Sequence, residues 1–183
     1  MGGATSGEEA PTAREAMLGE ARKLAVDVLY SEKGHFTAAR SWRAWNYRLG
    51  VPAALIGAAA GAAILGDAPA LIPGLLALLA AALTALITFL NPSERAAQHH
   101  RAGVDYARLR RQIRQFVQID FSTMNDGAFR DRLDDLTARV GTVQGDALPI
   151  PAGAHKGAYA SIANGSADYT PSELDAATGH VAG

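Results

Sequence analysis

The sequence predicts an all-α protein: a transmembrane helical hairpin with cytoplasmic amphipathic helices packed as a coiled-coil-like bundle. Three observations predict it. Between Leu49 and Leu90 the only charged side chain is Asp67. Lys and Arg crowd both outer ends of this apolar block and avoid its middle. Outside the block, apolar residues recur every three or four positions, and no run alternates as a strand does. The averages, 49 % hydrophobic and 19 % charged, conceal this, because most of the hydrophobicity sits in one segment.

The first 15 residues are expected to be flexible, overlapping the start of a cytoplasmic helix over about 12–48. Thr12 and Glu15 have the spacing of a capping box, and Met17, Ala21, Leu24 and Val28 form a stripe at intervals of 4, 3 and 4. Gly34 is expected to interrupt this helix before it resumes through Ala38, Trp42 and Trp45. Trp42, Trp45 and Tyr47 then stand where amphipathic rings prefer the headgroup layer.

Two spans follow, 49–66 and 70–90, with 18 and 21 uncharged residues. At about 1.5 Å per residue each covers roughly the 30 Å of a bilayer's hydrocarbon. A buried hairpin in a soluble core is the weaker alternative for uncharged runs of this length. Gly66-Asp67-Ala68-Pro69 supplies the turn. A signal peptide is not expected, since about 48 mostly polar residues precede the first span. Lys33, Arg40, Arg43 and Arg48 lie before the first span, and Arg95, Arg101, Arg108, Arg110, Arg111 and Arg114 after the second. The turn has no Lys or Arg. These charges place both termini in the cytoplasm, in a multi-pass protein of the inner (plasma) membrane.

On the second span Ala77, Ala81, Thr84 and Thr88 share one face, opposite Leu75, Leu79, Leu83, Leu86 and Leu90. The leucine face suits lipid. The small face suits close packing against another helix, with lining of an aqueous path after assembly as the second reading. Gly50, Gly57 and Gly61 on the first span offer a matching surface. No ionisable group lies within either span, unlike the spans of most transporters and proton relays. A single hairpin has no room for a channel, so conductance requires a homo-oligomer.

Asn91, Pro92 and Glu94 read as a helix start, with Asn91 as N-cap, Pro92 in the first position and Glu94 closing a capping box. The helix over about 92–119 carries a seam, Ala102, Tyr106, Leu109, Ile113 and Phe116, spaced 4, 3, 4 and 3. Arg95 and Arg101 are placed to anchor it at anionic headgroups. Its arginines otherwise read as a solvated face rather than a nucleic-acid surface. Seam and N-terminal stripe are expected to pack together and to extend into an oligomer. Phe129, Leu133, Leu136 and Val140 mark another helix over about 126–140, followed by an extended connector near Asp146–Pro151 and a flexible tail over 161–183.

Catalysis finds little footing. With no Cys in the chain there is no thiolate nucleophile, disulfide or Cys-ligated metal. His99 and His100 are adjacent and cannot chelate jointly in the i, i+4 manner; His99 lies on the seam, where packing or hydrogen bonding outweighs metal ligation. Glycines are plentiful, yet none forms a phosphate loop after a strand. The chain reads as a non-enzyme with no cofactor, no metal and no nucleic-acid partner.

The order of features resembles the SLATT domain family, two-transmembrane modules of bacterial conflict systems. The resemblance lies in VLYSEKGHF (28–36), WRAWNYRLGVPAALIGAAAG (42–61), the stretch from Leu75 to Arg114, and LPIPAGAHKGAY (148–159), and covers roughly 16–160. Its most specific portion is Asn91-Pro92, then His99 or His100, then Tyr106 and Leu109. The resemblance implies a membrane effector, often a pore, acting in antiviral defence beside a nucleotide-signalling synthetase or a SLOG-type sensor encoded elsewhere. The alternative is a membrane-anchored scaffold that recruits a cytoplasmic partner without permeabilising anything; a transporter is disfavoured by the uncharged spans.

Overall fold

The computed structural model describes residues 12–167 together with Thr170 and Glu173. Five α-helices account for most of them: α1 (Ala13–Leu65), α2 (Leu71–Leu90), α3 (Pro92–Gln118), α4 (Asp126–Asp146) and α5 (Ala152–Ala163). A short 3-10 turn, Asp120–Ser122, links α3 to α4, and no strand occurs among the described residues. The predicted all-α class is what the chain adopts. The described part divides into two compact units, one of residues up to Glu32 with Val104–Asp146, the other of Lys33–Gly103 with the residues from Ala147 onward.

In the first unit the sequence stripes meet. Ala21 and Val28 of α1, Tyr106, Leu109, Ile113 and Phe116 of α3, and Phe129, Leu133 and Leu136 of α4 form one buried core, with Met17 and Leu24 packed against it. Phe116 stacks on Phe129 at 4.2 Å between ring centroids, and Phe121 meets the same ring edge-on. Thr12 and Glu15 close the predicted capping box: the Thr12 amide donates to Glu15 Oε2 (2.8 Å) and the Glu15 amide to Thr12 Oγ1 (3.3 Å). Arg14 fastens α1 to the α3–α4 link. It donates to Asp126 and to the carbonyls of Phe121 and Met124, with its guanidinium over the Phe121 ring. The half-buried pair Arg110–Glu32 (3.2 Å) adds a second tie between α3 and α1.

This packing corrects one expectation. Tyr106, Leu109, Ile113 and Phe116 are all buried by the chain's own helices, so the seam has no apolar face left to extend into an oligomer. Ala102, also buried, belongs to the second unit.

In the second unit α1 and α2 form the hairpin. The less exposed positions are Leu49, Ala53, Ile56, Ala60 and Ala63 on α1 and Pro73, Leu76, Ala80, Leu83, Ile87 and Leu90 on α2. Both sets repeat at three and four, the pattern of one helix face against another. Asp67 takes the left-handed conformation (φ 53°) just beyond the end of α1, and the Ala68 amide bonds back to the Ala63 carbonyl, closing that end.

Three further expectations change here. α1 is unbroken at Gly34 and also passes through Pro52. A Cβ at Gly34 would lie 2.9 Å from Ile150, so this glycine admits the Ala147–Pro151 connector rather than breaking a helix. Asn91 is not an N-cap: it is left-handed (φ 43°) and its amide bonds to Ile87, ending α2, while Glu94 accepts from Gln98 instead of reaching back. Pro92 does open α3. Finally, α4 runs to Asp146, beyond the expected 140, and α5 occupies 152–163, where no helix is expected. Its Ala154 and Ala158 are buried, and Gly157 lets Thr37 of α1 approach to 2.9 Å of where a Cβ would stand. Small residues carry little periodic signal, which hides such a helix from sequence reading. The expected tail lies mostly outside the described residues, as do residues 1–11.

Candidate membrane-spanning site

Two helices are long and apolar enough to cross a membrane, and their most apolar 18-residue windows are only 17 % and 6 % buried. A core helix of a soluble protein of the same composition would be mostly covered. Leu55, Leu65, Leu71, Leu78 and Phe89 are each more than 60 % exposed. An apolar surface this continuous needs a non-aqueous neighbour.

The two flanks of the hairpin differ. At about 100° per residue, Gly50, Gly57 and Gly61 sit roughly 100° round α1 from its buried stripe. Ala77, Ala81, Thr84 and Thr88 sit roughly 100° round α2 from its own, in the same sense. Because the helices are antiparallel, both sets emerge on one side. Leu55, Leu75, Leu79 and Leu86 emerge on the other, and all four are exposed. The small faces are therefore neighbours but not each other's packing partners, which corrects the expectation of intramolecular packing. Ala77, Ala81, Thr84, Thr88, Gly57 and Gly61 are exposed, Gly50 is half-covered, and a Cβ on Gly57 would only graze Ala80 at 3.9 Å. Larger residues at Ile56, Leu76, Leu83 and Leu90 occupy the contact instead; two of the supposed lipid-facing leucines, Leu83 and Leu90, turn inward.

Thr84 Oγ1 donates to the Ala80 carbonyl (2.9 Å) and Thr88 Oγ1 to the Thr84 carbonyl (3.0 Å). Each hydroxyl proton thus has an acceptor within its own helix, and the flank can face lipid or another helix without an orphaned donor.

At the base of α2 the chain turns through Asn91 into Pro92, which is fully buried. Arg95 Nε donates to the Leu90 carbonyl (3.0 Å), and its guanidinium lies 5.2 Å from the Trp42 ring centroid. Of the expected surface anchors, Trp42 is half-buried under Arg95, while Trp45, Tyr47, Arg95 and Arg101 are exposed.

Beside this joint lies a feature that sequence reading found only in half. His99 of α3 and His35 of α1 are both 2 % exposed, with their Nδ1 atoms 3.0 Å apart. One ring must present Nδ1–H and the other a bare Nδ1. Burial pushes His35 down to about 4, helped by the nearby His99 and then His155. Burial first, and Arg95 second, hold His99 below the usual imidazole range. Both rings are therefore neutral at pH 7. The expected hydrogen-bonding role of His99 is present, and its partner is His35. A signal existed: His35 lies seven residues past Val28 and continues its buried stripe. Among the described residues no group of three or more His, Asp or Glu could hold a metal.

No family model, curated protein or solved structure matches this chain. The post-membrane residues separate: Asn91, Pro92 and His99 shape the hairpin's base, while Tyr106 and Leu109 are core residues of the first unit.

Proposed function

We propose that the chain is an integral membrane effector of the SLATT type, serving a bacterial conflict or antiviral system. In this reading the hairpin crosses the inner membrane with both termini cytoplasmic. Copies assemble through the flank of Gly57, Gly61, Ala77, Ala81, Thr84 and Thr88 into a pore or membrane lesion. The trigger is a nucleotide-linked signal from a synthetase or sensor encoded elsewhere, and the chain itself does no catalysis. The observation that carries this is the exposed hairpin with a small, hydroxyl-bearing flank opposite a leucine flank. Small faces let helices of neighbouring copies approach closely, and leucines suit lipid. The distribution of Lys and Arg and the sequence resemblance support the orientation and the class.

The test is dye entry into induced cells. Thr84→Leu/Thr88→Leu adds bulk at exposed positions and makes the span more apolar, so expression and insertion persist. Dye entry is expected to fall to the empty-vector level. Equal permeabilisation by the double variant would remove this flank from the conducting path. Should the parent never permeabilise cells, the scaffold reading takes over. The surface for a partner would then be the groove of about 920 Å³ in the first unit, where Met17, Leu24 and Leu133 are rimmed by Glu20, Lys23 and Asp134.

Topology is checked separately. A fluorescent protein fused after Gly183 should fold in the cytoplasm, and alkaline phosphatase inserted beside Asp67 should be active outside it. An active phosphatase fused after Gly183 would overturn the orientation.

A further inference from the structure

The chain's cations are not partnered evenly. Every ion pair among the described residues lies in the first unit, as in Arg14–Asp126, Arg110–Glu32 and the pairing of Asp135 with Arg132 and Arg139. In the second unit, residues 33–103 carry Lys33, Arg40, Arg43, Arg48, Arg95 and Arg101 against two carboxylates. One of these, Asp67, is at the far turn; the other, Glu94, accepts from Gln98.

Three of those unpaired cations converge. Lys33, Phe36, Arg40 and Arg43 fall at intervals of 3, 4 and 3, one face of α1. With His100 of α3 and Ser161 of α5 they line a cavity of about 270 Å³. The Phe36 ring meets His100 edge-on, at 5.6 Å between centroids. Lys33 Nζ donates to the Ser166 carbonyl (3.2 Å) and Arg40 Nη2 to Thr37 Oγ1 (3.1 Å), bonds to neutral oxygens that leave both charges uncompensated. The Ser161 and Ser166 hydroxyls share a hydrogen bond of 2.7 Å, so the charged donors left around the hollow are two guanidinium forks and an ammonium, the donor set of an oxyanion site. The volume is below the roughly 300–1,000 Å³ of drug-sized clefts, which suits a single headgroup or small anion.

We propose that this pocket binds a phosphate group, carried by an anionic lipid headgroup or by a soluble phosphorylated ligand. Position separates the two sources. Arg43 precedes Leu49 by six residues and Lys33 by sixteen, roughly 9 Å and 24 Å along the helix. Headgroup layers are only about 5–7 Å deep on each side. The Arg43 end lies nearest the headgroup layer, within reach of its long side chain, so a lipid phosphate would enter there, whereas a soluble phosphate reaches the Lys33 end. The lipid source rests on the membrane reading above, whereas the soluble source does not.

The test uses the full chain and the variant Arg40→Gln/Arg43→Gln, with Arg111→Gln/Arg114→Gln, on the exposed face of α3 in the first unit, as a control that removes equal charge outside the pocket. In one arm, detergent-solubilised protein is titrated calorimetrically with inorganic pyrophosphate. In the other, nanodiscs of phosphatidylcholine with and without phosphatidylglycerol are followed by native mass spectrometry for lipid retained on the protein. The pocket variant is expected to bind pyrophosphate roughly tenfold or more weakly, or to lose retained phosphatidylglycerol, and the arm that responds names the source. The control should keep both. Circular dichroism like that of the parent shows that the exposed substitutions leave the fold intact, and Lys33→Gln repeats the test should the double variant misfold. The proposal is overturned if the parent binds neither probe, if the pocket variants bind as the parent does, or if the control loses as much, which would reduce the effect to diffuse charge.

Discussion

Ile113→Asp is expected to unfold the first unit, with amide protection lost across α4 and across the N-terminal part of α1. Ile113 is fully buried in the core that α1, α3 and α4 share. Removing its side chain alone costs about 2–5 kcal/mol. A carboxylate in the same place either stays charged without a partner or takes up a proton, at several kcal/mol more. The sum is comparable with the whole stability of a small folded unit, about 5–15 kcal/mol. Ile113→Val, which removes one methyl group, should cost only about 1 kcal/mol and leave the protection pattern unchanged. Hydrogen exchange by mass spectrometry distinguishes the two. Protection in α4 that survives Ile113→Asp would mean that the α3 seam does not hold this unit together. The same result bears on assembly. Loss of crosslinked oligomer in such a variant reports unfolding, because the seam is already filled from within the chain.

The second large effect is acid destabilisation centred on His35 and His99. The groups facing the pair are Arg95 on its own helix α3 and His155 of α5. Folding depresses the His35 pKa from the ordinary 6.5 to about 4, so below pH 6.5 the unfolded chain binds a proton that the folded chain refuses. Stability therefore falls as pH drops from about 6.5 to about 4, and levels off below that, by about 3 kcal/mol for His35. His99 shifts in the same direction and adds to the loss. Thermal unfolding in detergent, followed through Trp42 and Trp45 emission, should show the melting point falling over this window. His35→Gln/His99→Gln should flatten that dependence. A parent melting point that is constant from pH 7 to 4.5 would show that the pair is already protonated or solvent-accessible.

Much of the architecture was legible in advance because it depends on neighbours in the chain. The charge-free stretches predict helices that avoid water, and intervals of three and four predict the stripes Met17–Val28 and Ala102–Phe116. The Thr12–Glu15 capping box is likewise local, and it forms. Each of these follows from composition or from the 3.6-residue period, which a linear reading can measure.

What the sequence did not determine is which side of each helix finds which partner. Gly50, Gly57 and Gly61 match Ala77, Ala81, Thr84 and Thr88 on helical wheels. Yet the hairpin closes through Leu49, Ala53 and Ile56 against Leu76, Ala80 and Leu83, about 100° away on both helices. A wheel fixes angles within a helix but carries nothing about rotation between helices, which is set by side-chain volume along the whole contact and by the turn at Asp67. Asn91 has the chemistry of an N-cap or of a left-handed C-cap, and only its place at the end of α2 selects the second. Likewise, Gly34 reads as a break in isolation, and becomes a point of close approach once Ile150 packs against it. The pairing of His35 with His99 and the meeting of Lys33, Arg40, Arg43 and His100 join residues 57 to 67 positions apart across helices. Local propensity has no reach over such separations; packing of α1, α3 and α5 decides them.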